Sequence, residues 1–285
     1  MPSALVFGAG GQIGQAVCTR LLDAGWQVLG VSRTPRVDAA GIRWLQADLA
    51  VGFGITDAVD AVLSCGPLDL FSRWYAGSAL AAARVVAFSS TSAAVKQDSP
   101  DPAERRLAKL LQDSEASVSA SAAQRRAHAT VLRPTLVYGA GRDQTLTRIV
   151  AIARQMRCFV LPACATGLRQ PVHVDDLAAA ALAALERPAG QGQVYALPGG
   201  ESLGYREMVR RTLAVLQPTP RLLVVPTPMF RLALSAAHLT GSMQQASPAV
   251  LARMRDDLVF DPGPAQRGLG YAPRAFRPDA TMLGG

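Results

Sequence analysis

The chain is short of several features that would narrow its class at once. It has only four cysteines, Cys18, Cys65, Cys158 and Cys164, in 285 residues. Their spacing matches neither a zinc-binding pattern nor the framework of a small secreted domain, so reduced thiols and no metal are expected. The start, MPSALVFG, has no basic region and no cleavage site of the signal-peptide kind, which points to a cytoplasmic protein. No apolar run is long enough to cross a bilayer. The best stretch, residues 222–239, is broken by Pro226 and Pro228 and carries Arg231 and His238. Internal repeats and low-complexity linkers are lacking too.

Net charge is +8, yet the arginines are scattered, with no RNA-binding signature, zinc finger or basic helix. No nucleic-acid partner is expected; a basic cleft for an anionic small molecule fits better. Hydrophobic residues make up 49% and charged residues 18%, enough to build a sizeable core.

What is present begins at once. Residues 4–7 form a short apolar run suited to a parallel strand covered on both faces. GAGGQIG follows, and then a helix over 12–24 with Ile13, Val17, Leu21 and Leu22 on one stripe. Further strands are read over 27–32, 42–46, 58–65, 84–90 and 128–134. Helices are read over 70–83 and from Pro102 to about 126. Alternation of this kind predicts an α/β fold with a doubly wound parallel sheet. After Gly141 the rhythm changes. A helix over 143–155, a short strand over 170–174, a helix to Glu186 capped by Asp175, and further elements over 194–197, 205–216 and 222–225 suggest a smaller C-terminal α/β lobe. The division expected is a dinucleotide-binding domain over 1–165 and a mainly substrate-binding lobe over 166–285, with 169–186 packing back on the first.

The glycine turn has a physical reading. Gly8, Gly11 and Gly14 let a strand end turn sharply, let backbone approach a diphosphate, and let a helix pack close to its strand. Gln12 and Ile13 open that helix, whose free N–H groups and dipole favour phosphate. The context, directly after a buried strand and before an amphipathic helix, is the one a dinucleotide requires. The second strand ends in Ser32 and Arg33 where an acidic residue would grip the adenosine ribose. A hydroxyl and a guanidinium suit a 2′-phosphate, so NADP is expected rather than NAD. Asp48 and Leu49, at the end of the third strand, are placed to meet the adenine.

Several motifs together make the chain resemble the extended short-chain dehydrogenase/reductase superfamily, the NAD(P)-dependent epimerase/dehydratase group. They are GAGGQIG, ADL at 47–49, SCGP at 64–67, FSSTS at 88–92, LRPTLVYGAG at 132–141 and RQPVHVDDLAAAALAAL at 169–185. The resemblance spans nearly the whole chain, including the terminal LGYAP. It implies a Rossmann-type fold and, residue by residue, a site. Cys65, Gly66 and Pro67 lie near the cofactor. Ser89 and Ser90 line its side, and Thr91 sits where a catalytic hydroxyl bonds the substrate oxygen. Arg133, Pro134 and Thr135 lie beside the nicotinamide half. Arg169 matches an arginine that binds substrate diphosphate in nucleotide-sugar epimerases; pairing with Asp175 or Asp176 as scaffold is the alternative. His173 reads as a core histidine rather than a catalytic one.

One part of the pattern is missing. The superfamily's general acid/base is a tyrosine in Y-x-x-x-K, and this chain has no tyrosine between Tyr75 and Tyr138. One register of the helix puts Arg105 at the tyrosine position and keeps Lys109. Another, anchored on Glu115, puts Leu107 and Leu111 there. Arginine stays charged and cannot shuttle a proton, whereas a desolvated Lys109 could. The chain thus resembles atypical members of the superfamily. Two functions stay open: an NADP-dependent oxidoreductase or epimerase acting on a nucleotide sugar or similar anionic molecule, as a monomer or homodimer, and a silent NADP(H)-binding sensor or scaffold.

Overall fold

Strand β1 (Ser3–Phe7) alternates its side chains between two cores: Ala4 and Val6 enter one, Leu5 and Phe7 the other. That two-sided burial is what places β1 at the centre of a sheet. The computed structural model describes residues 1–55, 58–187, 192–232 and 248–283, with the side chains of 248–250 outside the description. Around β1 stand β2 (Gln27–Ser32), β3 (Ile42–Gln46), β4 (Ala61–Ser64), β5 (Arg84–Phe88), β6 (His128–Pro134) and β11 (Val194–Leu197). They form one seven-stranded sheet in the order β11-β6-β5-β4-β1-β2-β3, and each pairing is parallel. The order reverses between β1 and β4, so the carboxyl ends of those strands open a crevice.

One face is covered by α1 (Gln12–Asp23) and α6 (Val174–Glu186), through Val17, Leu21, Leu177 and Ala181. The other is covered by α2 (Leu68–Gly77) and α4 (Pro102–Gln124), with Phe71, Trp74, Tyr75 and Val118 against Phe7. This is the Rossmann-type doubly wound sheet. A third core gathers Tyr138, Leu146, Leu161, Met208 and Phe276 from the later elements. It lies among α5 (Leu146–Met156), β8 (Cys158–Pro162) and α7 (Tyr205–Ala214); β8 pairs in parallel with β13 (Arg221–Val225). Short elements complete the order: α3 (Ser92–Val95), β7 (Val137–Tyr138) paired with β10 (Val172–His173), and β9 (Leu168–Arg169) paired with β12 (Leu203–Gly204).

Some boundaries differ from those expected. Helix α2 ends at Gly77, and 78–83 runs on without helix, because Ser78 takes an extended conformation. Helix α5 begins at Leu146, where Asp143 accepts hydrogen bonds from the backbone of Thr145, Leu146 and Thr147. The cap of α6 is His173, whose Nδ1 accepts from the Asp175 N–H at 3.2 Å. Asp175 itself lies in the first turn, where its charge suits the helix dipole. Among the described residues no helix is long and apolar enough to cross a membrane; residues 233–239 of the apolar stretch lie outside them.

Candidate cofactor and substrate site

The glycine turn closes at the carboxyl end of β1. The Gly11 N–H donates to the Gly8 carbonyl at 2.9 Å, and Gly11 is the N-cap of α1 with no side chain capping it. Among the described residues the first N–H groups of α1 therefore have no side-chain acceptor, the arrangement that holds a phosphate. Gly8 has φ +67°, and a Cβ there would lie 2.8 Å from the backbone of Cys65 and Gly66. At Gly14 a Cβ would overlap the Gly8 carbonyl. Two glycines thus let α1 and the β4 end close on the turn, and Gly11 keeps the phosphate side bare. The residues present fit a dinucleotide.

Around the turn, Cys65 and Gly66 supply backbone walls, and Pro67 is the N-cap of α2. Ser32 accepts from the Thr34 N–H at 3.3 Å, which shapes the end of β2, and Arg33 is exposed there. The Asp48 carboxylate accepts from the Ala50 N–H at 2.9 Å, while Leu49 packs into the second core. Cys18, inside α1, is buried, and burial pushes its thiol up to about 12, so it stays protonated.

The ends of β5 and β6 make a second cluster. Glu115, on α4 and buried, receives the Ser89 hydroxyl and both arms of the Arg133 guanidinium. Ser90 accepts from the Ser92 N–H at 3.1 Å. Thr91 is buried, and its hydroxyl donates to the Pro134 carbonyl at 3.2 Å. Thr135 donates to the Gln170 carbonyl. Thr91 and the Ser89–Glu115–Arg133 lock thus converge on one end of the sheet.

Two expected residues do not join them. The Lys109 side chain is 77% exposed and pairs with Asp113 at 3.1 Å along the outer face of α4. It is not desolvated, so the condition for a proton-shuttling lysine is not met. Helix geometry explains this: with Glu115 facing inward, Lys109 six residues earlier turns outward. Leu111 and Leu107, four and eight residues earlier, lie nearer the Glu115 face. With Lys109 turned outward, α4 brings neither phenol nor amine to the Glu115 face.

Arg169 is the second. It is buried and stacks over Tyr205 at 5.1 Å. Its guanidinium donates to the carbonyls of Leu168 at 2.6 Å, Asp256 at 2.9 Å and Arg253. It closes the end of the helix Pro248–Arg255, with backbone carbonyls taking its donors. The scaffold alternative also differs from expectation, since Asp175 and Asp176 pair with Arg274. His173 is buried as expected, with Nε2 lacking a hydrogen-bond partner among the described residues.

Three groups were not singled out from the sequence. Glu104, 9% exposed, accepts from the Arg253 guanidinium at 2.5 Å, Lys96 at 3.3 Å and the Ser99 hydroxyl at 2.7 Å. Arg142 donates to the Gly10 carbonyl at 2.9 Å. Arg36 lies against Gly10 and over the Trp44 ring. Only the charge of these residues was legible; Arg253 reaches Glu104 across 149 positions and Arg142 reaches Gly10 across 132.

The fold and the glycine turn define a protein of the dinucleotide-binding Rossmann class. More specifically, the chain belongs to the NAD dependent epimerase/dehydratase family, whose model matches residues 4–70 and 74–197. It is 27% identical to a 2-alkyl-3-oxoalkanoate reductase of Stenotrophomonas maltophilia (strain K279a), over 95% of this chain and 94% of that protein. Its fold is similar to that of a UDP-glucuronic acid 4-epimerase from Bacillus cereus in complex with NAD. That match has TM-score 0.69 and 16% identity, covering 99% of this chain and 96% of the other. It is also similar to MoeE5 in complex with UDP-glucuronic acid and NAD, with TM-score 0.71 and 19% identity over 96% and 94% of the two chains.

Proposed function

We propose that the protein is an NADP(H)-dependent oxidoreductase acting on a small anionic molecule that carries a carbonyl or the corresponding alcohol. The observation that carries this reading is the uncapped start of α1 at the glycine turn, flanked by Ser32 and Arg33 in place of an acidic ribose ligand. The nicotinamide supplies the hydride chemistry when bound.

The chain's own part is placement. Gly11 and the first turn of α1 hold the diphosphate, and the Ser89–Glu115–Arg133 lock sets the floor beside the nicotinamide half. Thr91, with its hydroxyl proton on the Pro134 carbonyl, offers its oxygen lone pairs to a water or to a substrate hydroxyl. Anionic character in the substrate is supported by the Lys96–Glu104–Arg253 cluster, which keeps one net positive charge where the helix Pro248–Arg255 meets α4. The two kinds of substrate named in the relatives, an oxoalkanoate and a nucleotide sugar, are both anionic and both belong in the first assay.

With no phenol on α4, the proton that accompanies hydride transfer to a carbonyl comes from water oriented by Thr91. A positioned general acid contributes about 10²–10⁴-fold, so turnover should be slow by that order. The test is NADPH oxidation in the presence of a 2-alkyl-3-oxoalkanoate, shorter 3-oxo acids and UDP-sugars, with Thr91→Val as control. Turnover of one class, reduced by Thr91→Val at unchanged NADPH affinity, supports the reading. Tight NADPH binding with no turnover of any 3-oxo acid or nucleotide sugar overturns it.

A further inference from the structure

A glycine inside a strand is a cost unless something needs the space. Gly30 lies in the middle of β2, directly across from Trp44 on β3. A Cβ at Gly30 would lie 2.9 Å from the indole carbons of Trp44. The ring therefore lies flat across the strand, on the face that α1 covers. The backbone N–H of Trp44 donates to the Asp38 carboxylate at 2.7 Å, which ties the β2–β3 connection to the same place.

Arg36 comes from that connection. Its guanidinium sits over the Trp44 ring, 4.8 Å from the centroid. Its other side meets the glycine turn: a Cβ on Gly10 would lie 2.9 Å from the Arg36 guanidinium carbon. The cation is thus held between an aromatic platform and the bare edge of the turn. In a Rossmann-type site the adenosine ribose lies between the glycine turn and the end of the second strand. Arg36 spans those two walls. A guanidinium stacked by its face keeps its N–H edges for an acceptor, and its fork matches a phosphate. No carboxylate neutralises it among the described residues.

We infer that Arg36, held by Trp44 against Gly10, is the residue that reads the ribose 2′-phosphate of NADP(H), with Trp44 and Gly30 as positioning residues. This rests on the NADP reading proposed above and deepens it. Arg33, the residue that the end of β2 suggests, becomes an auxiliary charge on the open side.

The experiment uses fragments that bind without chemistry. Dissociation constants of 2′,5′-ADP and 5′-AMP are measured by calorimetry for the parent protein, Arg36→Ala, Arg36→Lys, Arg33→Ala, Trp44→Leu and Trp44→Phe. A charge-assisted hydrogen bond lost to the phosphate corresponds to about 10–100-fold. Arg36→Ala should weaken 2′,5′-ADP by that factor and 5′-AMP by less than about threefold. Arg36→Lys should recover part of the loss, keeping charge without the fork. Trp44→Leu should lower the 2′,5′-ADP preference by roughly two- to fivefold through the lost stacking, and Trp44→Phe should restore most of it. If Arg36→Ala leaves the preference intact while Arg33→Ala removes it, the assignment to Arg36 is overturned and the NADP reading stands. If the parent binds the two fragments equally, both fall. Equal weakening of both fragments by Arg36→Ala also overturns it, since the residue would then hold the turn rather than the phosphate.

Discussion

Arg36 and Arg169 each lie over an aromatic ring, Trp44 at 4.8 Å and Tyr205 at 5.1 Å. In every other respect they differ. Arg36 is exposed beside the glycine turn, with no carboxylate paired to it among the described residues. Arg169 is 5% exposed, and backbone carbonyls of residues 168, 253 and 256 take its donors. Burial presses its pKa down, and those carbonyls are what keep the cation tolerable there. Stacking on a ring does not mark an arginine as a ligand. What decides is whether the chain already supplies acceptors. By that measure Arg33 and Arg36 have no side-chain or carbonyl acceptor among the described residues, whereas Arg133, Arg169, Arg211 and Arg274 are each taken up by acceptors that the fold supplies.

The largest effect is expected where a committed arginine loses its partner. Glu115→Ala leaves the Arg133 guanidinium facing a buried, unpaired position. It should cost about 3–5 kcal/mol, the range for breaking a buried pair, read as a fall in the denaturation midpoint. A loss below about 1 kcal/mol would show that Arg133 finds another partner, and would move it toward the ligand-binding group.

Next comes the turn itself. Gly14→Ala places a methyl against the Gly8 carbonyl, so α1 must shift off its strand. Overpacking of this kind costs about 1–3 kcal/mol, and NADPH binding should weaken with it because the N–H groups of α1 move. Calorimetry with NADPH, alongside thermal unfolding, separates the two losses. Unchanged binding in a destabilised variant would mean that the phosphate is held elsewhere.

Arg169→Met removes the donors that close the helix Pro248–Arg255 and should cost about 1–3 kcal/mol. Its effect on the affinity of any anionic substrate should be small beside the effect on unfolding. A large rise in KM with stability kept would return Arg169 to the substrate and break the comparison at its centre.

A pH dependence sharpens it further. Burial acts to raise the Glu104 carboxyl, but the Ser99 hydroxyl, Arg253 and Lys96 outweigh it and hold the group below the usual carboxylate range. A group lowered on folding contributes stability above its unfolded pKa, and that contribution is lost as pH falls through the folded value. The stability difference between the parent and Glu104→Gln should therefore be full at neutral pH and shrink in acid. A difference that grows on acidification would reverse the sign and sink the assignment.

The smallest effect belongs to Lys109→Met. The ion pair is exposed, and such pairs contribute about 0–1 kcal/mol. Turnover and NADPH affinity should match the parent. A loss of rate alone would show that α4 turns this face to substrate after all.

How much of this was legible follows from separation along the chain. The glycine turn, its strand and its helix are consecutive, so a local pattern suffices to read them. The same holds for the alternation of strands and helices, because each element's periodicity is written in its own residues. The inward face of α4 was legible only as two registers. That Glu115 faces inward is set by Arg133, which arrives from β6, eighteen positions away. Asp175 looked like the cap of α6 by residue type, but the helix starts two residues earlier than that and gives the place to His173.

The sequence by itself determined that a Rossmann-type sheet with a phosphate-binding turn would form, and that the usual phenol is missing. Those are statements about neighbouring residues and about composition, and no packing can alter them. The tertiary structure alone decided which charges remain open to a ligand. Arg169 meets its carbonyls 84 and 87 positions away, and Arg142 meets Gly10 at a separation of 132. A guanidinium is equally charged wherever it stands. Whether it serves scaffold or ligand depends on which acceptors the fold brings within hydrogen-bond reach, and only folding brings them there.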